Sequence, residues 1–310
     1  MGVGKIRVVL YLFIFISLCS FALAEPFTFA IYGDSQSTSK YHAVANIIAN
    51  NTPSFSVHVG DVVSSLTVKN WAEFVNESKR FYDGTNLYAA RGNHDGSSTK
   101  STDYWKSIFN ISKTYYSFTK ENIQFIILDT NTKYSKGTEQ YKWLESELNK
   151  STSPYKFVFI HNPGASKTLS GLFKNYSVDA VFMGHAHKYQ RGFNYGVRSF
   201  ITGGGGGPSN GGSLDVKEVS DKRNHFIRVD VEGLKINFTA IDTAGNVIDR
   251  LSFNKEKNVT EYIEIPKLPS VPVEQNVSGE QNISEEQNVS EEPIISESLS
   301  VLEEQPLYLN

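Results

Sequence analysis

The chain has 310 residues, a net charge of −3, a hydrophobic fraction of 39% and a single cysteine. One cysteine excludes an internal disulfide framework, so a folded domain must depend on its hydrophobic core for stability. The nearly balanced charge argues against a protein whose main partner is nucleic acid, and we expect no specific nucleic-acid binding.

The first 24 residues have the pattern of an export signal. Lys5 and Arg7 precede an apolar run that begins at Val8, and a small-x-small peptidase site, Ala22-Leu23-Ala24, closes it. We interpret residues 1–24 as a cleaved signal peptide, which predicts a secreted or cell-surface protein with no membrane span after cleavage. A transmembrane anchor is the competing interpretation, but the run is short for one.

Short apolar runs and helical patterns alternate through the next 160 or so residues. The expected strands are 27–32, 55–59, 87–90, 157–160 and 180–183, and each ends at a polar residue beside Gly or Pro. The expected helices are 40–50, 71–82 and 138–149, with a strand pair at 115–120 and 123–129. Mainly strands follow residue 198, and residues 97–109 and 164–176 are expected to be loops that shape specificity. The pattern predicts one α/β domain over residues 25–260.

The composition changes near residue 267. A six-residue repeat begins at Glu274, Glu280 and Glu286, and residues 261–310 contain eleven Glu and one Lys, a net charge of −10. Such a segment has too little apolar surface to offset its ordering entropy, so a disordered tail is predicted. Three Asn-x-Ser sequons recur in it, at Asn276, Asn282 and Asn288. A glycan-bearing stalk and a solvated tail without a partner both fit this composition. Without the tail and the first 24 residues, residues 25–260 have a net charge of about +5.

Polar residues at the strand ends form a ligand set for metal ions. In open α/β sheets, ligands bind beyond the carboxyl ends of the strands. Two carboxylates, one amide and three imidazoles stand there: Asp34, Asp61, Asn93, His161, His185 and His187. This mixture suits Fe, Mn or Zn better than Ca, and it contains no thiolate as a structural zinc site would. Six ligands fit two divalent or trivalent ions about 3.5–4 Å apart, a pair that can clamp both oxygens of a phosphoryl displacement.

These motifs resemble the calcineurin-like metallophosphoesterase superfamily over roughly residues 27–245. They are Gly33-Asp34, Gly60-Asp61, Gly92-Asn93-His94-Asp95, His161 and Gly184-His185-Ala186-His187, in the family's order. The segment 184–191, Gly-His-Ala-His-Lys-Tyr-Gln-Arg, is most similar to the purple acid phosphatase branch. The resemblance implies a four-layer α/β/β/α sandwich, with two mixed sheets flanked by helices. It also implies hydrolysis of phosphomonoesters or phosphodiesters, on small or macromolecular phosphorylated substrates, by attack of a metal-bound hydroxide.

The resemblance assigns roles to individual residues. The first metal would be held by Asp34, Asp61 and His187. The second would be held by Asp61, Asn93, His161 and His185, with Asp61 bridging. His94 would face the substrate as a catalytic residue, and Asp95 would orient it or tune its charge. Arg191 would meet the substrate phosphate, and pairing with a carboxylate is the alternative.

Two positions depart from the family pattern. Gln36 stands where much of the superfamily has a histidine ligand, so it either offers a carbonyl oxygen or leaves the first metal one ligand short. Ser64 stands where purple acid phosphatases have their iron-coordinating tyrosine, so we expect no purple colour. The missing histidine and the repeat-bearing tail favour the rival hypothesis, a catalytically weak or inactive phosphatase-fold glycoprotein that binds at a surface. A third hypothesis keeps the enzyme but makes its substrate a cyclic nucleotide or a phospholipid head group.

Three further histidines and a glycine-rich segment have simpler interpretations. We expect His58 to be packed or hydrogen-bonded within its strand, and His42 to be solvated on a helix. His225, at the start of a strand, is a candidate for supporting the metal ligands. Residues 203–207, all glycine, lack the lysine and helix start of a P-loop, so a turn bordering the cleft is expected.

Overall fold

The computed structural model describes residues 25–36, 38–207 and 212–262, which form fourteen strands in two mixed sheets and five helices. The predicted signal peptide, and all but the first two residues of the predicted tail, lie outside the described residues. None of the helices in the described part has the length and apolar character that a membrane crossing requires.

The first sheet has a parallel half and an antiparallel half. Its spatial order is β14 (Val259–Tyr262), β13 (Val247–Asn254), β12 (Lys235–Asp242), β11 (His225–Glu232), β1 (Phe27–Tyr32), β2 (Phe55–His58) and β3 (Leu87–Ala89). Strands β1, β2 and β3 are parallel, and the pairs from β1 to β14 through β11 are antiparallel. The parallel half therefore brings three carboxyl strand ends to one edge.

The second sheet repeats this arrangement with different strands. Its order is β10 (Val216–Asp221), β8 (Tyr189–Asn194), β9 (Val197–Thr202), β7 (Ala180–Met183), β6 (Tyr155–Ile160), β5 (Ile123–Ile127) and β4 (Tyr116–Lys120). Strands β5, β6, β7 and β9 are parallel, and β4, β8 and β10 pair antiparallel to their neighbours.

Alternation of side chains along the strands separates an inner core from two outer ones. In β1, Phe29 and Ile31 face an aromatic core between the sheets, whereas Ala30 and Tyr32 face helices. The helices are α1 (Tyr41–Asn50), α2 (Val68–Ser78), α3 (Thr99–Phe109), α4 (Glu139–Lys150) and α5 (Ala165–Asn175). The first three pack on the first sheet, and the last two pack on the second. This confirms the expected four-layer α/β/β/α sandwich.

The expectation of loops at 97–109 and 164–176 was wrong, because α3 and α5 occupy these segments. Ser98 caps α3 by accepting a hydrogen bond from the backbone N–H of Ser101, and Trp105 buries the helix face. Leu169, Leu172 and Phe173 form the buried stripe of α5 at helical spacing. The opposite side of each helix is polar. These polar residues made the two segments resemble loops in the sequence.

His225 is buried at the start of β11 as a neutral imidazole. Its Nδ1 lies 2.9 Å from the carbonyl oxygen of Arg223, and its Nε2 lies 3.1 Å from Thr202 Oγ1. An added Cβ at Gly204 would stand 2.1 Å from the ring, so the imidazole packs directly against the glycine-rich segment. Burial lowers the pKa of His225 to about 4. The histidine therefore supports a segment that borders the predicted site.

Acid should destabilise the fold through His225. Its folded pKa is depressed, so its contribution is fully present above the ordinary pKa near 6.5 and is lost as the pH falls toward 4. This loss amounts to roughly 3 kcal/mol at pH 4. In urea unfolding at pH 7 and pH 4, we expect His225→Gln to lose about that much less stability than the natural chain, because glutamine takes up no proton. Equal losses in the two proteins would contradict this role.

Candidate metal centre

The six predicted ligands converge where the parallel strands of both sheets end. Asp34, Asp61 and Asn93 follow β1, β2 and β3 of the first sheet. His161 directly follows β6, and His185 and His187 follow β7 of the second sheet. The two sheets thus supply oxygen and nitrogen donors, respectively, to a common cleft.

The donors form two groups that share one carboxylate. In the first group, Asp34, Asp61 and His187 offer ligand atoms within 4.8 Å of one another, and all three residues are buried. In the second group, Asp61, His161 and His185 satisfy the same limit. Asn93 joins the second group, because its Oδ1 lies 3.0 Å from His161 Nε2 and 3.0 Å from His185 Nδ1. Asp61 is therefore placed to serve both groups.

Three of the predicted ligands have left-handed backbone conformations. The φ angles are 60° at Asp34, 54° at Asp61 and 67° at His185, a region that few residues other than glycine adopt. Each such residue costs of order 1–3 kcal/mol, and the surrounding hydrogen bonds must hold it there. The backbone N–H of Asp34 donates to the Gly60 carbonyl at 2.9 Å, and that of His185 donates to the Asp34 carboxylate at 3.0 Å. Strain concentrated at these strand ends is typical of functional sites.

A hydrogen bond to the backbone fixes the orientation of the His161 ring. Its Nδ1 lies 3.0 Å from the carbonyl oxygen of Val59, to which it donates. Its Nε2 then faces Asn93 Oδ1 and lies 3.4 Å from Asp61 Oδ2. A backbone carbonyl that binds one ring nitrogen and leaves the other for a cation is the usual support of a metal-ligating histidine.

Glycines make room for the carboxylates. A Cβ at Gly92 would stand 2.1 Å from Asp61 Oδ1 and 2.2 Å from the Asp61 backbone nitrogen. A Cβ at Gly184 would stand 2.6 Å from Asp34 Oδ2. These distances are shorter than any ordinary contact, so the site requires glycine at both positions.

Gly92→Ala should displace Asp61 and weaken metal binding about 10- to 100-fold. The same overpacking should lower the free energy of unfolding by about 1–3 kcal/mol. Calorimetric metal titration and urea unfolding measure the two effects. The matched control is Gly171→Ala, because an added Cβ in this exposed turn of α5 meets nothing within 4 Å. The control should gain about 0.5–1 kcal/mol of stability, and equal metal affinity in both variants would contradict the close approach at Gly92.

Within the cluster, attraction between oppositely charged groups opposes the effect of burial on the pKa values. Burial opposes ionisation of Asp61, but His161 and the backbone N–H of His94 outweigh it and lower the pKa of Asp61. Burial likewise disfavours the charged form of His161, yet Asp61 and Asp34 raise its pKa to about 9. Burial raises the pKa of Asp34, with His187 opposing the effect. A cation binding here would displace protons from this set, so binding should release protons and weaken in acid.

The cluster is open on one side. Asn93, His94 and His185 are exposed, whereas Asp34, Asp61 and His161 are buried. The His94 side chain is 45% exposed, and its Nδ1 donates to the carbonyl oxygen of Ser64 at 3.0 Å. The other ring nitrogen, Nε2, lies 3.9 Å from Asp61 Oδ2 and takes no part in the bond to Ser64. His94 thus stands beside the predicted ligands on the open side of the cluster.

The predicted role of Asp95 needs correction. Its buried carboxylate accepts hydrogen bonds from the backbone N–H of Gly92 at 2.8 Å and of Val63 at 3.2 Å. The imidazole of His94 is oriented instead by Ser64. Burial raises the pKa of Asp95 to about 7, with the negative charge of Asp61 adding to the effect. Asp95 therefore ties the loop after β2 to the loop after β3.

Arg191 was predicted to bind substrate, and the structure places it in an ion-pair network. The residue is 2% exposed, and its guanidinium donates to both carboxylate oxygens of Asp249, through Nε at 2.5 Å and Nη2 at 3.0 Å. Its Nη1 also pairs with Glu218. A buried guanidinium held in this bidentate manner is not available to a phosphate, so the alternative interpretation is the correct one.

The structure also places His58 and His42, together with Gln36 and Ser64, the two residues that depart from the family pattern. His58 is buried and bonds Ser35 Oγ at 3.0 Å, which confirms a structural role, and His42 is exposed beside Glu77. The Nε2 of Gln36 lies 3.4 Å from Asp61 Oδ2, so its amide reaches the shared carboxylate. Ser64 contributes a backbone carbonyl rather than a side chain.

Two supports of the site were not found from the sequence. Asn131 Nδ2 donates to the Gly92 carbonyl at 2.7 Å, and the buried pair of Arg91 and Asp129, 2.8 Å apart, lies directly before this loop. Both contacts hold the backbone of the loop after β3 in place, and neither belongs to a recognisable sequence motif.

Known proteins are similar in sequence to parts of this chain. The model of the family described as calcineurin-like phosphoesterase matches residues 27–189, more than half of the chain. A purple acid phosphatase of Glycine max is 32% identical over 103 residues, 28% of this chain and 22% of the relative. The Fe(3+)-Zn(2+) purple acid phosphatase 12 of Arabidopsis thaliana is 33% identical over 102 residues, with the same shares. The chain thus spans about a fifth of these relatives.

The fold is also found among solved structures. The purple acid phosphatase PPD1 from yellow lupin seeds superposes with a TM-score of 0.67 at 17% identity. The match covers 76% of this chain and 55% of the lupin chain. At this identity the likeness concerns the fold.

Proposed function

Because the chain belongs to the calcineurin-like phosphoesterase family, we propose that it is a metal-dependent hydrolase of phosphomonoesters or phosphodiesters. One observation carries the proposal. Two groups of oxygen and nitrogen donors meet at the ends of parallel strands, and both groups contain Asp61. The exposed His94 lies on the open side of these groups. This combination suits a phosphate held between two cations and one imidazole.

The donor set fits two transition-metal ions. Carboxylate, amide and imidazole donors without thiolate suit Fe, Mn or Zn, and the name of the Arabidopsis relative gives an iron and zinc pair for that protein. Asp34, Asp61 and His187 would hold the first ion. Asp61, Asn93, His161 and His185 would hold the second. When bound, such ions polarise phosphoryl oxygens and lower the pKa of water to about 7.

The chain's own residues would orient the ester and move a proton. The exposed imidazole of His94, with its Nδ1 donating to Ser64, leaves Nε2 toward the cleft. From there it can donate a hydrogen bond to a phosphoryl oxygen or a proton to the departing alcohol. The buried Asp34 and Asp61 would supply the negative charge that retains the cations.

A paired-substrate assay tests the activity. The full chain, loaded with Fe, Mn or Zn, is given 4-nitrophenyl phosphate and bis(4-nitrophenyl) phosphate. We expect metal-dependent turnover of at least one ester, lost on chelation and restored by metal. The faster substrate separates a monoesterase from a diesterase. Failure to hydrolyse either ester with every metal would contradict the proposal.

One observation favours the rival function, a catalytically weak or inactive binding protein. The first group has three protein ligands, since position 36 offers an amide directed at Asp61 and position 64 offers only its carbonyl to His94. In that case elemental analysis of the full chain finds bound metal, and the same assay gives no turnover.

We place the protein outside the cytoplasm, as a catalytic domain at residues 25–260 that follows a cleaved signal and precedes a spacer. The sequence of residues 1–24 and the repeated sequons support this placement. N-terminal sequencing of the mature protein checks it. The expected first residue is Glu25, and a retained Met1 would count against cleavage.

A further inference from the structure

A cavity of about 480 Å³ lies between the start of α2 and the start of α3. Its lining residues come from the loops that follow β2 and β3 and from the beginnings of α2 and α3: Leu66, Thr67, Val68, Ser98, Lys100, Ser101 and Tyr104. The volume is within the range of small-molecule sites. The proposed phosphoesterase chemistry leaves this cavity unassigned.

The two loops that lead to the cavity are tied together beside His94. The backbone N–H of Val63 donates to Asp95 at 3.2 Å, and His94 Nδ1 donates to the Ser64 carbonyl at 3.0 Å. The lining begins two residues beyond Ser64 in one loop and four residues beyond His94 in the other. Two residues span at most about 7 Å, so the lining begins within that distance of the Ser64 carbonyl that His94 contacts.

The free surface of the lining is mainly apolar. Val68 is 72% exposed, the largest value among the exposed large hydrophobic residues of the described chain, and Leu66 and Tyr104 are half-buried beside it. Lys100 is exposed and adds a positive charge that attracts anionic esters.

The serine and threonine hydroxyl groups of the lining take part in helix capping. Thr67 Oγ1 accepts from the Asn70 backbone N–H at 3.1 Å, and Ser98 Oγ accepts from the Ser101 backbone N–H at 3.1 Å. Ser101 Oγ donates to the Ser98 carbonyl at 2.9 Å. A sugar-like group would find few unsatisfied partners here, whereas an aromatic ring can pack on Tyr104 and the two aliphatic side chains.

We propose that this cavity binds the leaving group of the phosphate ester, and that the preferred leaving group is an alcohol that carries an aromatic ring. The inference rests on the proposed function, since His94 would stand at the leaving oxygen. Hydrolysis bonds the oxygen of water to phosphorus and breaks the phosphorus–oxygen bond to the alcohol. The alcohol departs with one proton, and phosphate remains between the metal ligands. The ring beyond the leaving oxygen then extends past His94 into the cavity.

Two esters isolate the ring. 2-Phenylethyl phosphate and ethyl phosphate have leaving alcohols of similar basicity, so a difference in kcat/KM reports contacts with the ring. For the metal-loaded full chain we expect a ratio of about 10 in favour of the ring-bearing ester. Val68→Ser and Tyr104→Ala should each lower this ratio about 3- to 10-fold. The control is Val216→Ser, a 55% exposed valine on the edge strand β10, which should leave the ratio unchanged.

A binding measurement separates failure of the cavity from failure of the hydrolase. Calorimetry compares 2-phenylethylphosphonate with ethylphosphonate, which cannot be hydrolysed. Tighter binding of the ring-bearing phosphonate, reduced in Val68→Ser and retained in Val216→Ser, supports the cavity even if neither ester turns over. Equal or undetectable binding of the two phosphonates, or a preference that survives Val68→Ser and Tyr104→Ala, overturns the proposal.

Discussion

Asp61→Asn should release both metal ions and lower turnover by at least about 10³-fold, which corresponds to the several kcal/mol that metal ions contribute to such transition states. The reason is that Asp61 is the one carboxylate common to both donor groups. It is 1% exposed, and its Oδ1 already accepts the backbone N–H of His94 at 2.8 Å. Asparagine keeps the shape but loses the charge and one of the two acceptor oxygens. Metal analysis and steady-state assays on the purified variant measure both effects.

Asp103→Asn provides the matched control for this substitution. Asp103 is 66% exposed on α3 and forms only a surface pair with Lys106 at 3.7 Å. Removing its charge should leave metal content and turnover at the level of the natural chain. If Asp61→Asn kept two metal ions and a tenth of the turnover, the shared carboxylate would not be the centre of the site.

His94→Ala should lower kcat by about 10²- to 10³-fold while the metal content stays unchanged. His94 lies outside both donor groups, and its Nε2 is 3.9 Å from Asp61 Oδ2. Its loss removes a proton or hydrogen-bond donor for the substrate and leaves every proposed ligand in place. The comparison of kcat with metal content therefore separates a catalytic residue from a ligand.

His42→Ala is the control for His94→Ala. His42 is 66% exposed on α1 and contacts Glu77. Its removal should change neither kcat nor metal content. Loss of metal in His94→Ala would show that the imidazole belongs to the metal site, and an unchanged kcat would exclude it from catalysis.

The sequence predicted the site better than it predicted the surroundings of the site. Each ligand follows a strand that is visible as an apolar run, and local patterns of this kind survive without tertiary information. Asp34 and Asp61 also follow glycines, which indicated sharp turns at these strand ends. The left-handed backbone at Asp34, Asp61 and His185 has no such signal, because it depends on hydrogen bonds from other loops.

The errors have a common physical origin in distant partners. Arg191 pairs with Asp249, which is 58 positions away and reaches it through β13 of the other sheet. Asp95 binds backbone N–H groups, which every residue type provides. Helices α3 and α5 were missed because each is stabilised on one buried face by packing that composition does not reveal.

The convergence of two sheets explains why the site needs so much of the chain. The first sheet positions the proposed oxygen ligands, and the second positions the proposed imidazole ligands. Most of the aromatic core lies between the sheets and fixes their separation. A substitution in that core would therefore alter the distance between the carboxylates and the imidazoles, although every ligand residue would be unchanged.

The most direct test of the account is the number of metal ions bound per chain, measured by elemental analysis of the purified full chain after saturation with Fe, Mn or Zn. The account predicts close to two ions per chain, because the two donor groups share Asp61 and are otherwise separate. Less than one tightly bound ion with every metal would contradict it.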